Sequence, residues 1–177
     1  PDGSDIVDPE SEYILIQQYD PHHWHNGGSI FFDNQGFLYL SSGDIGADKN
    51  YYKAGQTLTE GLFGTILRID VDMDETRSHP IRRQPTDHDF ARNTKPSSWT
   101  EKSFTQGYFI PNDNPWLDEE GGILEEFWCL GIRSPHRMSY DPKTEQIWVG
   151  DVGQFRKEEV NVIVKGGNYQ WPYKDGT

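Results

Sequence analysis

Short apolar runs separated by turn residues dominate the chain. Residues 29–42 hold two aromatic and aliphatic runs on either side of a turn that ends in Gly36, which predicts a β-hairpin with this glycine in the left-handed conformation. Residues 137–149 repeat the plan around a second turn. Further strands are predicted at 65–71 and 160–164, and no long apolar repeat of about 3.6 residues indicates a helix. The pattern therefore predicts an all-β fold.

Residues 73–108 do not share this pattern. They are polar and rich in charge, and they contain Pro80, Pro85 and Pro96 but few aliphatic residues. Loops this long usually have a specific reason to exist, because an ordered connection seldom exceeds about 15 residues. We therefore predict a long polar surface insertion within one β-domain rather than a separate domain.

The two hairpins share a larger pattern. His25 and Arg133 each lie eight residues before the turn aspartate of their hairpin, and each second strand closes in Gly-Asp-x-Gly, at 43–46 and 150–153. Repeated units with glycine and aromatic punctuation are typical of β-propeller blades. Equivalent strand ends gather around one face in such a fold, so His25, Arg133 and the two Gly-Asp corners are predicted to converge.

Composition excludes several classes of protein. The formal net charge of −13 argues against nucleic-acid binding, which normally requires a basic face. No segment approaches the roughly 18 consecutive apolar residues of a membrane span. Cys129 is the only cysteine, so this chain cannot form a disulfide framework or a cysteine zinc site.

Two side chains are candidates for proton transfer and anion binding. His25 has the chemistry of a general base, and Asn26-Gly27-Gly28 behind it removes bulk, which would let a flat or large partner approach. The alternative is that His25 is a turn histidine beside two glycines and has no catalytic role. Arg133 offers a planar fork of donors for a carboxylate or a quinone oxygen, and its alternative is a structural salt bridge.

Oxygen-rich stretches raise the question of a metal. The corner at 151–154, followed by Glu158-Glu159, places backbone carbonyls near carboxylates, as hard cations prefer, although such turns are common. The Asp70-x-Asp72-x-Asp74 spacing lacks the glycine and glutamate of an EF-hand, so we expect a solvated strand end there. A transition-metal site at His22, His23 and His25 is not expected.

Several motifs together resemble a known family, the soluble pyrroloquinoline-quinone (PQQ)-dependent glucose/sorbosone dehydrogenases. The motifs are HNGG (25–28), LYLSSGD (38–44), LFGTILRIDVD (62–72), FIPNDNPW (109–116), EEFWCLGIRSPHRMSYDP (125–142), IWVGDVGQ (147–154), EEVNVIVKGGNYQWP (158–172) and the terminal DGT (175–177). The resemblance implies a six-bladed β-propeller. At about 40–50 residues per blade, 1–177 would be a partial β-propeller domain of three to four blades, with the remaining blades outside this chain.

The resemblance also implies roles for individual residues. His25 would take the proton from a sugar hydroxyl, Asp44 would orient His25, and Arg133 would lie over the quinone oxygens. The cofactor-binding residues would be His25, Arg133 and Ser134. The calcium region would contain Gly153 and Gln154, through their backbone carbonyls, together with Glu159 and Tyr169.

The implied activity is PQQ- and calcium-dependent oxidation of an aldose or related polyol, with electrons passed to an external acceptor. The family works outside the cytoplasm, which implies a periplasmic or extracellular location. Two departures from its pattern are Ser134, where an asparagine is usual, and Gln170, where a glycine is usual. They leave open a second hypothesis, a non-catalytic propeller that binds protein or glycan, as hedgehog-interacting proteins of similar fold do.

Overall fold

The computed structural model describes residues 7–46, 53–87, 95–98, 104–155 and 157–176. The prediction of an all-β fold is confirmed, since strands and two three-residue 3-10 turns, Pro9–Ser11 and Ala54–Gln56, make up its regular structure. The strands are β1 (Ile16–Gln17), β2 (Ile30–Phe32), β3 (Leu38–Ser42), β4 (Thr65–Ile69), β5 (Ser78–Pro80), β6 (Phe104–Thr105), β7 (Phe109–Pro111), β8 (Phe127–Leu130), β9 (Pro135–Asp141), β10 (Gln146–Asp151), β11 (Glu159–Ile163) and β12 (Gly167–Asn168). Across these ranges, no helix is long and apolar enough to cross a membrane.

Two larger sheets organise the chain. The first has the order β12-β8-β4-β3-β2, in which β12 runs parallel to β8 and the other neighbours are antiparallel. The second is the antiparallel sheet β11-β10-β9. Two short antiparallel pairs, β1-β6 and β5-β7, flank them. All connections between neighbours in β2-β3-β4 and β9-β10-β11 are sequential, as in meandering antiparallel sheets.

Local turn chemistry explains the first predicted hairpin. The Asp33 carboxylate accepts hydrogen bonds from the backbone N–H groups of Gln35 at 2.9 Å and Phe37 at 3.0 Å, which closes the turn between β2 and β3. Gly36 has a φ of +85°, the left-handed conformation that a glycine adopts without strain. The predicted hairpin is confirmed, and the second forms from β9 and β10.

The main core lies between the two larger sheets. Ile147 and Val149 of β10 are buried against Tyr39 and Ile66, whereas Trp148 between them is 42% exposed. This alternation is the two-residue period of a strand with one covered face. Burial of each aliphatic side chain contributes roughly 1.5–3 kcal/mol, so this interface fixes the hairpin β9-β10 against the five-stranded sheet.

The polar interval 73–108 contains secondary structure in its described parts. It includes β5, which pairs with β7, and β6, which pairs with β1. Its residues 88–94 and 99–103 lie outside the described residues. The domain prediction, one partial propeller with a surface insertion, stays a prediction.

The expectation of a solvated strand end at Asp70-x-Asp72-x-Asp74 is wrong for Asp70. This carboxylate is fully buried, and it accepts hydrogen bonds from the Ser78 hydroxyl at 2.6 Å and from the Arg77 guanidinium at 3.0 Å. A buried carboxylate is stable when cationic and neutral donors surround it. Asp70 therefore braces the loop that leads into β5, while Asp72 and Asp74 are more exposed.

Candidate active site

A histidine and an aspartate form the centre of the site. His25 precedes β2 and Asp44 follows β3, and the antiparallel pairing of these strands places the two positions side by side. His25 Nδ1 lies 2.7 Å from Asp44 Oδ1, and the Asp44 side chain is fully buried while that of His25 is 14% exposed. Because a carboxylate only accepts, Nδ1 carries the proton and Nε2 is the nitrogen that is able to accept one.

Glycines around this pair allow two backbone segments to approach each other closely. A Cβ at Gly27 would clash with the Ser41 carbonyl, and a Cβ at Gly43 would clash with the His25 carbonyl. These glycines therefore allow the His25 segment to lie directly against the end of β3. Our interpretation that the glycines behind His25 make room for a flat partner needs correction for Gly27, whose place is filled by Ser41. Gly28 does face open space.

The His25 backbone lies in an unusual conformation. Its φ is +61°, and that of Ile45, directly after Asp44, is +73°. Left-handed conformations cost a residue with a side chain roughly 1–2 kcal/mol, and most of all a β-branched residue. Such strain concentrates at functional sites, where the surrounding structure holds it in place. Both partners of the His25–Asp44 pair therefore lie in or next to strained backbone.

Arg133 joins the two Gly-Asp corners. Its carbonyl accepts from the Asp44 N–H at 2.9 Å, and its own N–H donates to Asp151 Oδ2 at 3.0 Å. The Ser134 N–H donates to the other carboxylate oxygen of Asp151 at 2.6 Å. The structure thus brings His25, Asp44, Arg133 and Ser134 together, at the place where the sequence predicts that the two hairpins converge.

Asp151 is a site residue to which sequence reasoning gave no role of its own. Burial raises the pKa of its carboxyl group to about 6, although the two backbone N–H donors from Arg133 and Ser134 act in the opposite direction. The repeated Gly-Asp-x-Gly motif could have identified Asp151 as a site residue, because Asp44 and Asp151 hold equivalent places in the two copies of the motif. Asp151 therefore anchors the segment that carries Arg133.

The Arg133 side chain contacts backbone carbonyls. Its Nη1 donates to the Val152 carbonyl at 2.8 Å and to the Gly153 carbonyl at 3.1 Å. Its Nε is buried and has no hydrogen-bond partner within the ranges described. These contacts are with backbone carbonyls and not with a carboxylate, so they do not support the alternative of a structural salt bridge at Arg133. A buried donor without a partner is rare and costs free energy, which makes this guanidinium a candidate to bind an acceptor.

Trp171 is a second residue that sequence reasoning missed, although its motif was noted. It is 4% exposed, and its indole Nε1–H donates to Asp44 Oδ2 at 2.6 Å. The centre of its ring lies 5.2 Å from the guanidinium carbon of Arg133. No local spacing reveals a contact between residues 127 positions apart in the chain.

The predicted calcium region surrounds a small cavity. Gly153, Glu159 and Tyr169 line it together with Asp175, whose motif was noted in the sequence but which was given no role of its own. The backbone N–H of Gln154 donates to the Asp175 carboxylate at 3.1 Å, so the carboxylate lies beside the predicted corner. The Tyr169 hydroxyl donates to the Val162 carbonyl at 2.7 Å and therefore supports β11.

The oxygen atoms at this cavity are of the kind that a hard cation binds. Carboxylates of Glu159 and Asp175 and the carbonyl of Gly153 are oxygen ligands of the type calcium takes, while Lys174 and Arg133 line the same cavity with positive charge. The Gly153 carbonyl accepts from Arg133 in this structure, so a cation on this oxygen would require the guanidinium to move away. The described part of the chain contains no cluster of three or more His, Cys, Asp or Glu side chains able to hold a metal.

Comparison with known proteins gives a family. Residues 104–176 match the glucose/sorbosone dehydrogenase family model. The HIPL1 protein of Arabidopsis thaliana is 34% identical over 154 residues, which is 86% of this chain and 19% of that protein. Quinoprotein glucose dehydrogenase B of Acinetobacter calcoaceticus is 37% identical over 70 residues, which is 37% of this chain and 14% of that protein.

A solved structure gives the same result. The soluble aldose sugar dehydrogenase of Escherichia coli superimposes with a TM-score of 0.55 and 26% identity, over 84% of this chain and 31% of that one. This chain thus spans about a fifth of the length of HIPL1 and about a third of the bacterial enzyme. The resemblance seen in the sequence is confirmed: residues 104–176 match the glucose/sorbosone dehydrogenase family model, and the chain is similar to a quinoprotein glucose dehydrogenase and to a soluble aldose sugar dehydrogenase.

Proposed function

We propose that the protein containing this chain oxidises a hydroxyl group of an aldose or related polyol, with PQQ and calcium as cofactors and an external electron acceptor. The observation that carries this proposal is the His25–Asp44 pair at 2.7 Å, held directly beside Arg133 in a chain of which residues 104–176 match this family model. A base, a carboxylate that orients it and a cation are the groups that removal of a proton and a hydride from a C–OH group requires.

The proton would be taken by His25. Its Nδ1–H is fixed on Asp44, so Nε2 is the free position for a substrate hydroxyl proton. When His25 gains this proton, the ionised Asp44 stabilises the imidazolium that results, as the aspartate of a catalytic triad does. PQQ, when bound, supplies the acceptor for the hydride. The Arg133 backbone is hydrogen-bonded to Asp44, and its guanidinium would stabilise negative charge on a bound acceptor oxygen.

Arg133 and the calcium region would work together. Gly153 and Gln154 would hold the cation through their carbonyls, with Glu159 and Tyr169 in support and Asp175 close by. Calcium there would act as a Lewis acid on an oxygen of the cofactor. If Arg133 released the Gly153 carbonyl, its guanidinium would be available to donate a hydrogen bond to the bound cofactor. Ser134 would also contact the cofactor.

The fold and location are part of the proposal. The chain would form part of a six-bladed propeller, with three to four blades here and the rest supplied by the remainder of the protein. The similarity to the solved aldose sugar dehydrogenase supports this architecture. A periplasmic or extracellular location and a diffusible sugar substrate follow from the same family relationship.

A second function is favoured by specific observations. HIPL1 of A. thaliana, whose name assigns no dehydrogenase activity, is 34% identical to this chain. Ser134 replaces the amide that is usual in the family, and the Arg133 guanidinium is engaged with two carbonyls. A propeller that binds protein or glycan without catalysis is therefore the alternative proposal.

The test uses the full-length protein with PQQ, calcium and a panel of aldoses, and it follows the reduction of an electron-accepting dye. We expect turnover in the wild type and a loss of roughly 10²–10⁴-fold in His25→Ala, because the general base is removed. His23→Ala is the matched control, since His23 lies in the same loop and is exposed. A folded wild-type protein that neither binds PQQ nor oxidises any sugar would favour the binding module.

A further inference from the structure

Trp171 lies where the two halves of the candidate site meet. Its indole N–H donates to Asp44 at 2.6 Å, and its ring centre lies 5.2 Å from the Arg133 guanidinium carbon. The Trp171 backbone N–H donates to the Gly131 carbonyl at 3.0 Å, and the side chain is buried. One rigid side chain therefore contacts both the carboxylate behind the base and the cation.

The two oxygens of Asp44 have different donors. Oδ1 accepts from His25 at 2.7 Å and from the Gly46 N–H at 3.0 Å, whereas Oδ2 accepts from Trp171. A fully buried carboxylate stays ionised only when donors compensate for the lost water. The indole N–H is therefore one of the groups that keep Asp44 in the form that orients His25.

We infer that Trp171 is a positioning residue, which acts on His25 through Asp44 and on the guanidinium of Arg133 through its ring face. It holds the Asp44 carboxylate ionised and fixes its direction, so that the proton stays on Nδ1 of His25 and Nε2 remains free. The consequence for sugar oxidation rests on the proposed function. The consequence for His25 is a property of the folded protein and does not depend on catalysis.

Removal of the indole N–H should change the protonation of His25 in a defined direction. Without this donor, the buried Asp44 charge is compensated mainly by His25, which then keeps its second proton to higher pH. The loss of one hydrogen bond to a charged group corresponds to a rise of up to about 1–2 pH units in the midpoint of the His25 titration. Among the described residues, Asp20 interacts electrostatically with both members of this pair and Asp151 interacts with Asp44. His22 lies next to Asp20, and the Arg133 guanidinium lies over the Trp171 ring; the substitution leaves all four groups in place.

The experiment is an NMR titration of full-length protein labelled at histidine ¹³Cε1, without cofactor, in the wild type, Trp171→Phe and Trp128→Phe. Trp128 is the matched control, because its Nε1 is buried and has no hydrogen-bond partner in the described part of the chain. We expect the His25 midpoint to rise in Trp171→Phe and to stay unchanged in Trp128→Phe. An unchanged midpoint in folded Trp171→Phe overturns the inference.

A wild-type measurement covers the case in which Trp171→Phe does not fold. The indole proton signal of Trp171 should follow the titration of His25, whereas that of Trp128 should not. Independence of the Trp171 signal from His25 overturns the inference as well.

Kinetics extend the test to the reaction. If the wild type oxidises sugars, kcat in Trp171→Phe should fall roughly 10- to 100-fold, with the acidic limb of the pH profile displaced upward. Without sugar oxidation in the wild type, the proposed function fails, and the His25 titration still decides the role of Trp171.

Discussion

The buried carboxyl group of Asp151 should make the stability of the fold depend on pH in an unusual direction. Asp151 accepts the backbone N–H groups of Arg133 and Ser134, yet burial raises its pKa to about 6, from an ordinary value of 3.8. Asp151→Asn replaces the carboxyl with a neutral group of nearly the same shape. The substitution retains one acceptor oxygen and removes the titration.

The sign and the size of this effect on the free energy of unfolding follow from the difference in proton binding between the folded and the unfolded state. Between pH 3.8 and about 6, the folded state holds a proton on Asp151 that the unfolded state has lost. Stability therefore falls as pH rises through this window, by up to about 3 kcal/mol, since one pKa unit corresponds to about 1.36 kcal/mol. Asp151→Asn should remove this fall, so its stability relative to the wild type should increase from pH 4 to pH 7.

The assay is urea unfolding of both proteins at several pH values from 4 to 7.5. The difference between them isolates Asp151 from other groups, including Glu126, whose pKa burial raises to about 7. Asp141→Asn is the control, because the half-buried Asp141 has its pKa lowered by hydrogen bonds from Lys143 and Thr144. Equal dependence on pH in wild type and Asp151→Asn would refute the reasoning.

Two further substitutions test the packing around the site and the core. Gln170→Gly should raise the free energy of unfolding by about 0.5–1 kcal/mol, because the exposed Gln170 has a φ of +71° that glycine adopts without strain; a melting temperature that is unchanged or lower would contradict this. Tyr108→Phe removes the hydroxyl that donates to Glu126 at 2.8 Å. It should cost roughly 1–3 kcal/mol at pH 8.5, where Glu126 is ionised, and less at pH 5.5; an equal loss at both pH values in urea unfolding would count against the charged pairing.

Local signals account for what the sequence could predict. The hairpin β2-β3 depends on Asp33 and Gly36, which act within a few residues of each other. The approach of the His25 and Arg133 segments could also be predicted, because each holds the same place in a repeated unit. The hairpin is determined by one short stretch, whereas this approach is indicated by one pattern that occurs at two places in the chain.

Contacts between residues that are far apart in the chain account for what the sequence could not predict. The strand predicted at 65–71 is confirmed by β4, but the sequence does not show that all residues of β4 are buried, including Arg68. Arg68 lies 4.0 Å from the ring centre of Phe37 and donates to Asp113 at 2.6 Å, so its charge is compensated by residues far along the chain. The bond from Trp171 to Asp44 is of the same kind. No periodicity shows which distant side chain will compensate a buried charge.

The most direct test of the central claim, that His25 and Arg133 face one quinone cofactor, is equilibrium binding of PQQ to the full-length protein in the presence of calcium. Arg133→Leu should weaken binding roughly 10- to 100-fold, because a charge-assisted contact is lost. Arg137→Leu is the matched control, since Arg137 is exposed on β9. The account predicts loss in Arg133→Leu alone, and equal PQQ affinity in both variants and the wild type would contradict it.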